Sequence, residues 1–193
     1  DDGLLDKNEW PLEHTGRVPL TGYYSDKKTG EKRAANRGSA CLMLDGDNLR
    51  GLIVVPRMSS KEGNVFHMTL IPIDPKTALP KMESKMGLVI EEQKDGVKGV
   101  IAARASEADG AASQPVGFSV SKSPKTVKSS QAPWYEFSIP LAKLRHFNTK
   151  KGATYAFNVT AVQAGGSADD AYAAWHRQDL EHPEQWGQLM VVE

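Results

Sequence analysis

The chain has 193 residues, 39% of them hydrophobic, and its 24 lysines and arginines balance 24 aspartates and glutamates. This length supports one domain with a substantial core, and we expect that single domain to span residues 1–193. The neutral charge argues against nucleic acid or an anionic membrane surface as a partner, because both attract basic proteins. No apolar run approaches the roughly 20 residues of a membrane-spanning helix, so no membrane span is expected.

Short segments with the two-residue alternation of β-strands follow one another along the chain. In chain order they are residues 39–44, 49–55, 65–73, 86–92, 97–103, 135–139, 153–162 and 186–192. The first two flank Asp-Gly-Asp-Asn at positions 45–48, and the fourth and fifth flank Gln-Lys-Asp-Gly at positions 93–96. Glycine-containing turns between such runs predict two β-hairpins.

Helical periodicity is scarce by comparison. The segment from residue 138 onward and residues 169–175 each predict one or two helical turns. Residues 24–38, dense in lysine and arginine, and residues 119–132, rich in serine and lysine, predict long solvated loops. Many short strands with turns roughly every 8–12 residues predict an all-β fold, an antiparallel, jelly-roll-like β-sandwich with few short helical turns.

The sequence WYEFSIPLAKL at residues 134–144 combines a strand pattern with a proline. Its odd-numbered residues from 135 to 139 are apolar and share one face, which predicts a half-buried strand. Glu136 faces the other way and is expected to meet solvent or a cross-strand partner. Pro140 has no N–H for a neighbouring strand, so the strand ends there or runs along an edge. Residues 141–144 then predict one helical turn packed against the core.

Several of these segments resemble the family 9 carbohydrate-binding modules and the related carbohydrate-binding-like sandwich domains. That family has a strand W-x-x-E-φ-x-I-P, followed by a glycine-containing turn and a strand that ends in F-N-V. Here Trp134 and Glu136 stand one residue closer together, and the second strand contains Phe-Asn-Val at residues 157–159. The resemblance implies a β-sandwich that binds carbohydrate. Further counterparts of the family pattern, in the same order, lie at residues 2–10, 45–49 and 182–189.

A sugar-binding surface needs flat aromatic faces for the C–H-rich side of the ring and polar groups for the hydroxyls. Trp175, Arg177 and Gln178 combine these groups in one predicted loop and are the first candidates for ligand binding. Tyr23 and Tyr24, at the start of the predicted loop at residues 24–38, are candidates for a second aromatic face. The alternative is that Trp175 closes the end of the fold and the tyrosines cover loop backbone.

No motif for catalysis stands out in the sequence. It contains no nucleophile elbow, phosphate-binding loop or carboxylate pair of the kind that enzymes use, so we predict no catalytic residues and no enzyme. The five histidines form no helical pair and no His-Glu signature, which predicts no metal site. Asp45, Asp47 and Asn48 could ligate calcium, but a tight turn explains them as well, and no cofactor is expected.

The single cysteine and three of the tryptophans are expected to be structural. Cys41 excludes an intrachain disulfide and a cysteine-based zinc site, and its apolar neighbours predict a small buried side chain. Trp10, Trp134 and Trp186 occupy positions that pack the core in the family that the chain resembles. We therefore expect these three rings to stabilise the fold rather than to bind a ligand.

The prediction for function is a non-catalytic, carbohydrate-binding-like domain that holds sugar in its end loops by aromatic stacking and hydrogen bonds. The chain begins with Asp1 instead of methionine, so we expect either a processed mature protein or a piece of a larger one. We interpret this start as a hint of export, to the periplasm, the cell surface or the medium. Its expected partner is a carbohydrate ligand or a larger polysaccharide-active protein.

Two alternatives stay open. A domain of the same fold that has lost the sugar site would serve protein contacts. The missing acidic residue in the strand before Asp74-Pro75, which the resembled family usually carries, favours this alternative. A sandwich that encloses a haem, with methionine and histidine or lysine as axial ligands, is the third possibility.

Overall fold

The computed structural model describes residues 16–25, 32–55, 63–102, 116–123, 133–163, 173–174 and 182–192. These residues form eleven strands: β1 Gly16–Ser25, β2 Lys32–Asp45, β3 Asn48–Val54, β4 Asn64–Pro72, β5 Met86–Gln93, β6 Gly96–Ile101, β7 Val116–Lys122, β8 Trp134–Pro140, β9 Thr154–Gln163, β10 Ala173–Ala174 and β11 Gly187–Met190. Single 3-10 turns lie at Met82–Ser84, Leu141–Lys143 and Pro183–Gln185. Within the described ranges no longer helix occurs, so the prediction of a mainly β protein with short helical turns is confirmed.

All the described strands belong to one antiparallel sheet. Their order is β10-β1-β2-β3-β8-β7-β6-β5-β4-β9-β11. Strand β10 pairs with β1 and also with β9, which lies near the other end of that order. The sheet therefore curls until its two ends meet through β10. Strand β11 pairs with the same edge of β9, over residues 154–157.

Both predicted hairpins are present in this sheet. β2 pairs with β3 as far as Asp45↔Asn48, and β5 pairs with β6 as far as Gln93↔Gly96. Gly46 in the first turn has φ 54°, a left-handed conformation that glycine adopts without steric cost. The helical turn predicted after Pro140 is also confirmed, as Leu141–Lys143.

Two segments that the sequence predicted as loops contain strand residues. Residues 24–25 belong to β1 and residues 32–38 to β2, and these two strands pair with each other with one register shift, between Leu20↔Gly38 and Thr21↔Asn36. Residues 119–122 belong to β7, while 124–132 lie outside the described residues. Strands pair through their backbones, so charged residues can also form a strand. Such a strand shows little alternation of apolar and polar residues, and a sequence pattern therefore does not identify it. The helical turn predicted at 169–175 was also wrong where it can be checked, because Ala173–Ala174 form β10.

The inner face of the curl holds the main hydrophobic core. Phe66 of β4 and Tyr135 of β8 are both fully buried, and their ring centroids lie 4.7 Å apart. These strands are not neighbours in the sheet, so the curl brings them face to face. The apolar row predicted for residues 135, 137 and 139 lies on this inner face, as the alternation required.

Close packing of the inner face depends on Gly51 of β3. A Cβ built on Gly51 would lie 1.9 Å from Cζ of Phe137, which pairs with it across β3 and β8. The aromatic ring therefore occupies the space that a side chain at position 51 would need.

The two ends of the curled sheet differ in chemistry. One end carries the turn between β2 and β3 and the end of β4 at Pro72, and we call it the apolar end. The other end carries Asn64, Glu92 and Lys122, and we call it the polar end. Antiparallel pairing assigns each strand terminus to one of these ends, because consecutive strands run in opposite directions.

Candidate functional site

Three of the residues predicted to bind ligand, Trp175, Arg177 and Gln178, lie outside the described residues. The backbones of Tyr23 and Tyr24 lie in β1, where they pair with Ala34 and Arg33 of β2, so both belong to a strand and not to a loop. The structure describes only the backbone of Tyr23 and Tyr24. This part of β1 and β2 extends past Ser39↔Val54, the last pair between β2 and β3, and so projects from the polar end.

The polar end is built by strands whose inner rows continue from apolar into polar residues. In β5 the inner row runs through Leu88 and Ile90 to Glu92, and in β7 it runs through Val120 to Lys122. Because side chains alternate along a strand, these last residues point to the same interior as the core before them. The core is thus closed at this end by charged groups.

Glu92 is the centre of a hydrogen-bond network at the polar end. Its Oε2 accepts hydrogen bonds from Tyr135 Oη at 2.8 Å and from Asn64 Nδ2 at 3.2 Å. The backbone N–H of Asn64 also donates to Oε2, at 3.3 Å. Lys122 Nζ donates to Oε1 and lies 5.5 Å from the centroid of the Tyr135 ring. The carboxylate is therefore held by four donors from three different strands, which fixes its position.

The network keeps Glu92 ionised. Burial alone would raise the pKa of the Glu92 carboxyl, but the hydrogen bonds from Lys122 and Tyr135 and the positive charge of Lys122 outweigh it and lower the pKa below its ordinary value of 4.5. The side chains of Glu92 and Lys122 remain 19% and 24% exposed, while Tyr135 beneath them is fully buried. The exposed side of the network is therefore an ion pair whose two charges both reach solvent.

A cavity of about 790 Å³ opens beside this ion pair. Glu92 and Lys122 line it together with Ser123 and the β5–β6 turn at residues 93–96. Its polar side chains are the carboxylates of Glu92 and Asp95, the ammonium groups of Lys94 and Lys122, the Gln93 amide and the Ser123 hydroxyl, so it can both accept and donate hydrogen bonds. We call it the polar cavity.

Comparison with known proteins gives no identity for this chain. It matches no protein-family model, no curated protein and no solved structure. The resemblance to family 9 carbohydrate-binding modules therefore stays a prediction.

A second polar group lies on the outer face of β3 and β8. Arg50 Nη2 donates to Glu136 Oε1 at 2.6 Å, and Arg50 Nη1 donates to Asp45 Oδ2 at 3.3 Å. Glu136 is 1% exposed, so the expectation of a cross-strand partner is confirmed and that of a solvent-facing carboxylate is wrong. Trp134 also lies on this face, partly buried in a small cluster with Cys41 and Leu52. Its ring therefore packs outside the main core, and Cys41 is buried as predicted.

A third feature is an apolar cavity of about 250 Å³ at the apolar end of the sheet. Leu42, Leu49 and Leu70 line it from one side, and Leu189 and Met190 from the other. Tyr155 lies in its wall, and its hydroxyl donates to the backbone oxygen of Asn148 at 2.9 Å. Burial raises the pKa of this phenol, against the opposing hydrogen bond at Asn148, so Tyr155 stays neutral. No charged side chain lines the cavity among the described residues.

Candidate metal ligands do not gather in the described part of the chain. No three histidine, cysteine, aspartate or glutamate side chains of these residues lie close enough to hold an ion. Asp45, considered for calcium, is instead ion-paired with Arg50. His67 and Met68 are consecutive in β4 and so point to opposite faces of the sheet. None of the described helical segments has the length and hydropathy that crossing a membrane requires.

Sequence reasoning missed Glu92 and Lys122. Glu92 ends a predicted strand with the phase of the core residues before it, and that phase was the available signal. Lys122 fell in a predicted loop. Glu92 and Lys122 are 30 positions apart in the sequence, and a pattern within a few residues does not predict a contact between such distant positions.

Proposed function

We propose that the chain is a non-catalytic carbohydrate-binding domain that holds a hydroxyl-rich ligand in the polar cavity. The observation that carries this proposal is the Glu92–Lys122 pair, which is held rigidly from below and partly exposed toward the cavity. Adjacent sugar hydroxyls each donate and accept hydrogen bonds. A fixed carboxylate next to a fixed ammonium is complementary to such a pair of hydroxyls.

The state of Glu92 supports binding more than catalysis. A general acid needs a carboxyl that carries a proton near the working pH, and the network lowers the pKa of Glu92 instead. Four donors already hold this carboxylate, which suits a group that positions a ligand. Preorganised polar groups of this kind lower the entropic cost of binding.

The position of the cavity also supports the proposal. It lies at an end of the sheet, where the sequence led us to expect a sugar site, and the strand segment with Tyr23 and Tyr24 projects from the same end. Tyr135 is fully buried and offers no stacking face. We therefore propose that the aromatic faces come from Tyr23, Tyr24 or Trp175, with Arg177 and Gln178 as further polar contacts.

The finer architecture belongs to the same proposal. We infer that the two facing halves of the curled sheet act as the two layers of a jelly-roll-like sandwich. The contact between Phe66 and Tyr135, on strands that are not neighbours, supports this inference. The proposed biological setting is an exported protein that acts alone or within a larger polysaccharide-active protein.

Isothermal titration calorimetry with a panel of soluble oligosaccharides tests the binding site. Lys122→Met should weaken the binding of any oligosaccharide that the parent binds by about tenfold or more, because it removes a charge-assisted donor. Lys98→Met is the matched control, since Lys98 is exposed on β6 and does not line the cavity. Circular dichroism of both variants shows that the fold is retained.

The possible results separate the parts of the proposal. If the parent binds no oligosaccharide, carbohydrate binding is excluded over that panel and the proposal fails. If the parent binds and the two lysine variants behave alike, the sugar lies elsewhere and the polar cavity is the wrong site. Trp175→Ala tests the stacking ring in the same titration, and unchanged affinity would exclude Trp175.

A further inference from the structure

The outer edge of β11 is open in the described part of the sheet. β11 ends the strand order, and its described strand neighbour is β9. Val191 N donates to Ala153 O at 2.8 Å, and Gly152 N donates to Val191 O at 2.9 Å, so the backbone of Val191 faces β9. Alternate residues of an antiparallel strand direct their N–H and C=O groups to opposite edges. The backbone groups of Gln188 and Met190 therefore face away from β9, and no described residue pairs with them.

Strand β11 is only four residues long, but it carries neither the charged side chains nor the proline by which proteins often protect an edge. Natural edge strands carry lysine, proline or a bulge, which discourage a further strand from pairing. The sequence from 187 to 192 is Gly-Gln-Leu-Met-Val-Val, with no charge and no proline. Its pairing with β9 is regular over residues 187–190. This edge is therefore a suitable template for one more strand.

The apolar cavity lies directly beside this edge. Leu189 and Met190 line it from β11, and Leu44 lines it from β2. Met190 is 61% exposed and Val192, which also lines the cavity, is 58% exposed, although both side chains are large and apolar. A volume of about 250 Å³ exceeds that of the 150 Å³ cavity that accommodates a benzene ring, so one large apolar side chain would fit.

We propose that β11 binds an extended peptide of a partner protein by strand addition, with one apolar side chain of that peptide in the apolar cavity. The open backbone edge favours a peptide over an alkyl chain, because only a peptide supplies both N–H and C=O groups in strand register. The uncharged cavity wall selects an uncharged apolar residue. This inference does not depend on the polar cavity at the other end of the sheet.

Amide hydrogen exchange of the full chain tests the proposal. In the free protein the amides of Gln188 and Met190 should exchange fast, while Leu189 and Val191, which face β9, exchange slowly. The probes are capped octapeptides that alternate threonine with leucine, valine, phenylalanine or methionine. At least one should slow exchange at Gln188 and Met190 by tenfold or more. The same peptide methylated on all its backbone nitrogens, so that neither edge can donate a hydrogen bond, should have no effect.

A pair of variants tests the edge from the protein side. Gln188→Pro removes an outward N–H and should weaken binding of the active peptide about tenfold or more, while Gln188→Thr keeps that N–H and should bind like the parent. The methylated peptide provides the same test without altering the protein, in case the proline variant does not fold.

Three results would overturn the proposal. If no octapeptide protects these amides, β11 is not a strand-addition site for apolar peptides. If the amides are already protected in the free protein, the chain itself or a second copy fills the edge, and dilution distinguishes the two. If octyl glucoside enters the cavity and no peptide binds, the cavity serves an aliphatic chain.

Discussion

Arg50 and Glu136 form an ion pair of 2.6 Å between β3 and β8, and only one of the two reaches solvent to any extent. The side chain of Glu136 is 1% exposed and that of Arg50 is 14% exposed. Removing one member of a buried pair leaves the other charge without compensation, which costs more than the pair itself contributes.

Arg50→Met should therefore lower the free energy of unfolding by about 3–5 kcal/mol, because it leaves the carboxylate of Glu136 buried without this cation. Asp45→Asn is the control, because Asp45 accepts a hydrogen bond from the other terminal nitrogen, Nη1, of the same guanidinium. Asp45 is 58% exposed, so its loss should cost less than about 1 kcal/mol. Urea denaturation of both variants measures the difference, and equal costs would contradict the assignment of the buried pair.

Gly51→Ala should destabilise the protein by about 1–3 kcal/mol, since the new Cβ would meet the ring of Phe137. Gly117→Ala in β7 is the matched control, because the nearest atom to its Cβ would be the oxygen of Gly99 at 3.8 Å. Urea denaturation compares the two. In the double variant with Phe137→Leu, the cost of Gly51→Ala should become smaller; an unchanged cost would place the strain elsewhere.

Acid should destabilise the protein through Glu92. Its pKa in the folded state is below 4.5, so the unfolded chain takes up the proton first as the pH falls. The contribution of the ionised Glu92 carboxylate to the free energy of unfolding is complete above pH 4.5. It is lost as the pH falls from 4.5 through the lower pKa that Glu92 has in the folded protein. Glu92→Gln should make the stability less dependent on pH in that window. Thermal unfolding of both proteins between pH 3 and pH 7 checks this, and parallel curves would exclude Glu92 as the source.

His67 should add a separate loss of stability as the pH falls, in a pH range above that of Glu92. Burial lowers its pKa from the ordinary 6.5, so the folded protein keeps the imidazole neutral while the unfolded chain binds a proton. Its contribution is complete above pH 6.5 and declines as the pH falls below that value. His67→Thr should remove the dependence between pH 5 and pH 7 in thermal unfolding, and NMR titration of the imidazole should report a midpoint below 6.5.

The local elements were predictable because each has a signal within a few residues. The turn at 45–48, the hairpin around Asp95-Gly96 and the strand that ends at Pro140 follow from glycine, proline and alternation. Residues 24–38 lacked such a signal. The strand pairing of residues 24–25 and 32–38 is a property of two backbones, and the charged residues there concealed it from a pattern based on hydrophobicity.

The candidate site was much less predictable. The expected aromatic residues came from composition and from a resemblance, whereas the polar cavity depends on which strand ends meet. Glu92 and Lys122 come together because β5 and β7 flank β6 in the sheet and both end at the polar end, where β6 begins. Asn64 and Tyr135 complete the network from β4 and β8, and they meet because the curl brings those strands face to face.

The sequence by itself determined where the strands turn and which residues of a strand share a face, because steric freedom and alternation act over neighbouring residues. The tertiary structure alone decided the ion-pair partners of Glu92 and Glu136, which are Lys122, 30 positions away, and Arg50, 86 positions away. It also decided that the curled sheet has one polar end and one apolar end and that, among the described strands, β11 has an edge without a neighbour. These features arise from the order in which strands pair, and that order reflects the burial of the whole core, which no single segment encodes.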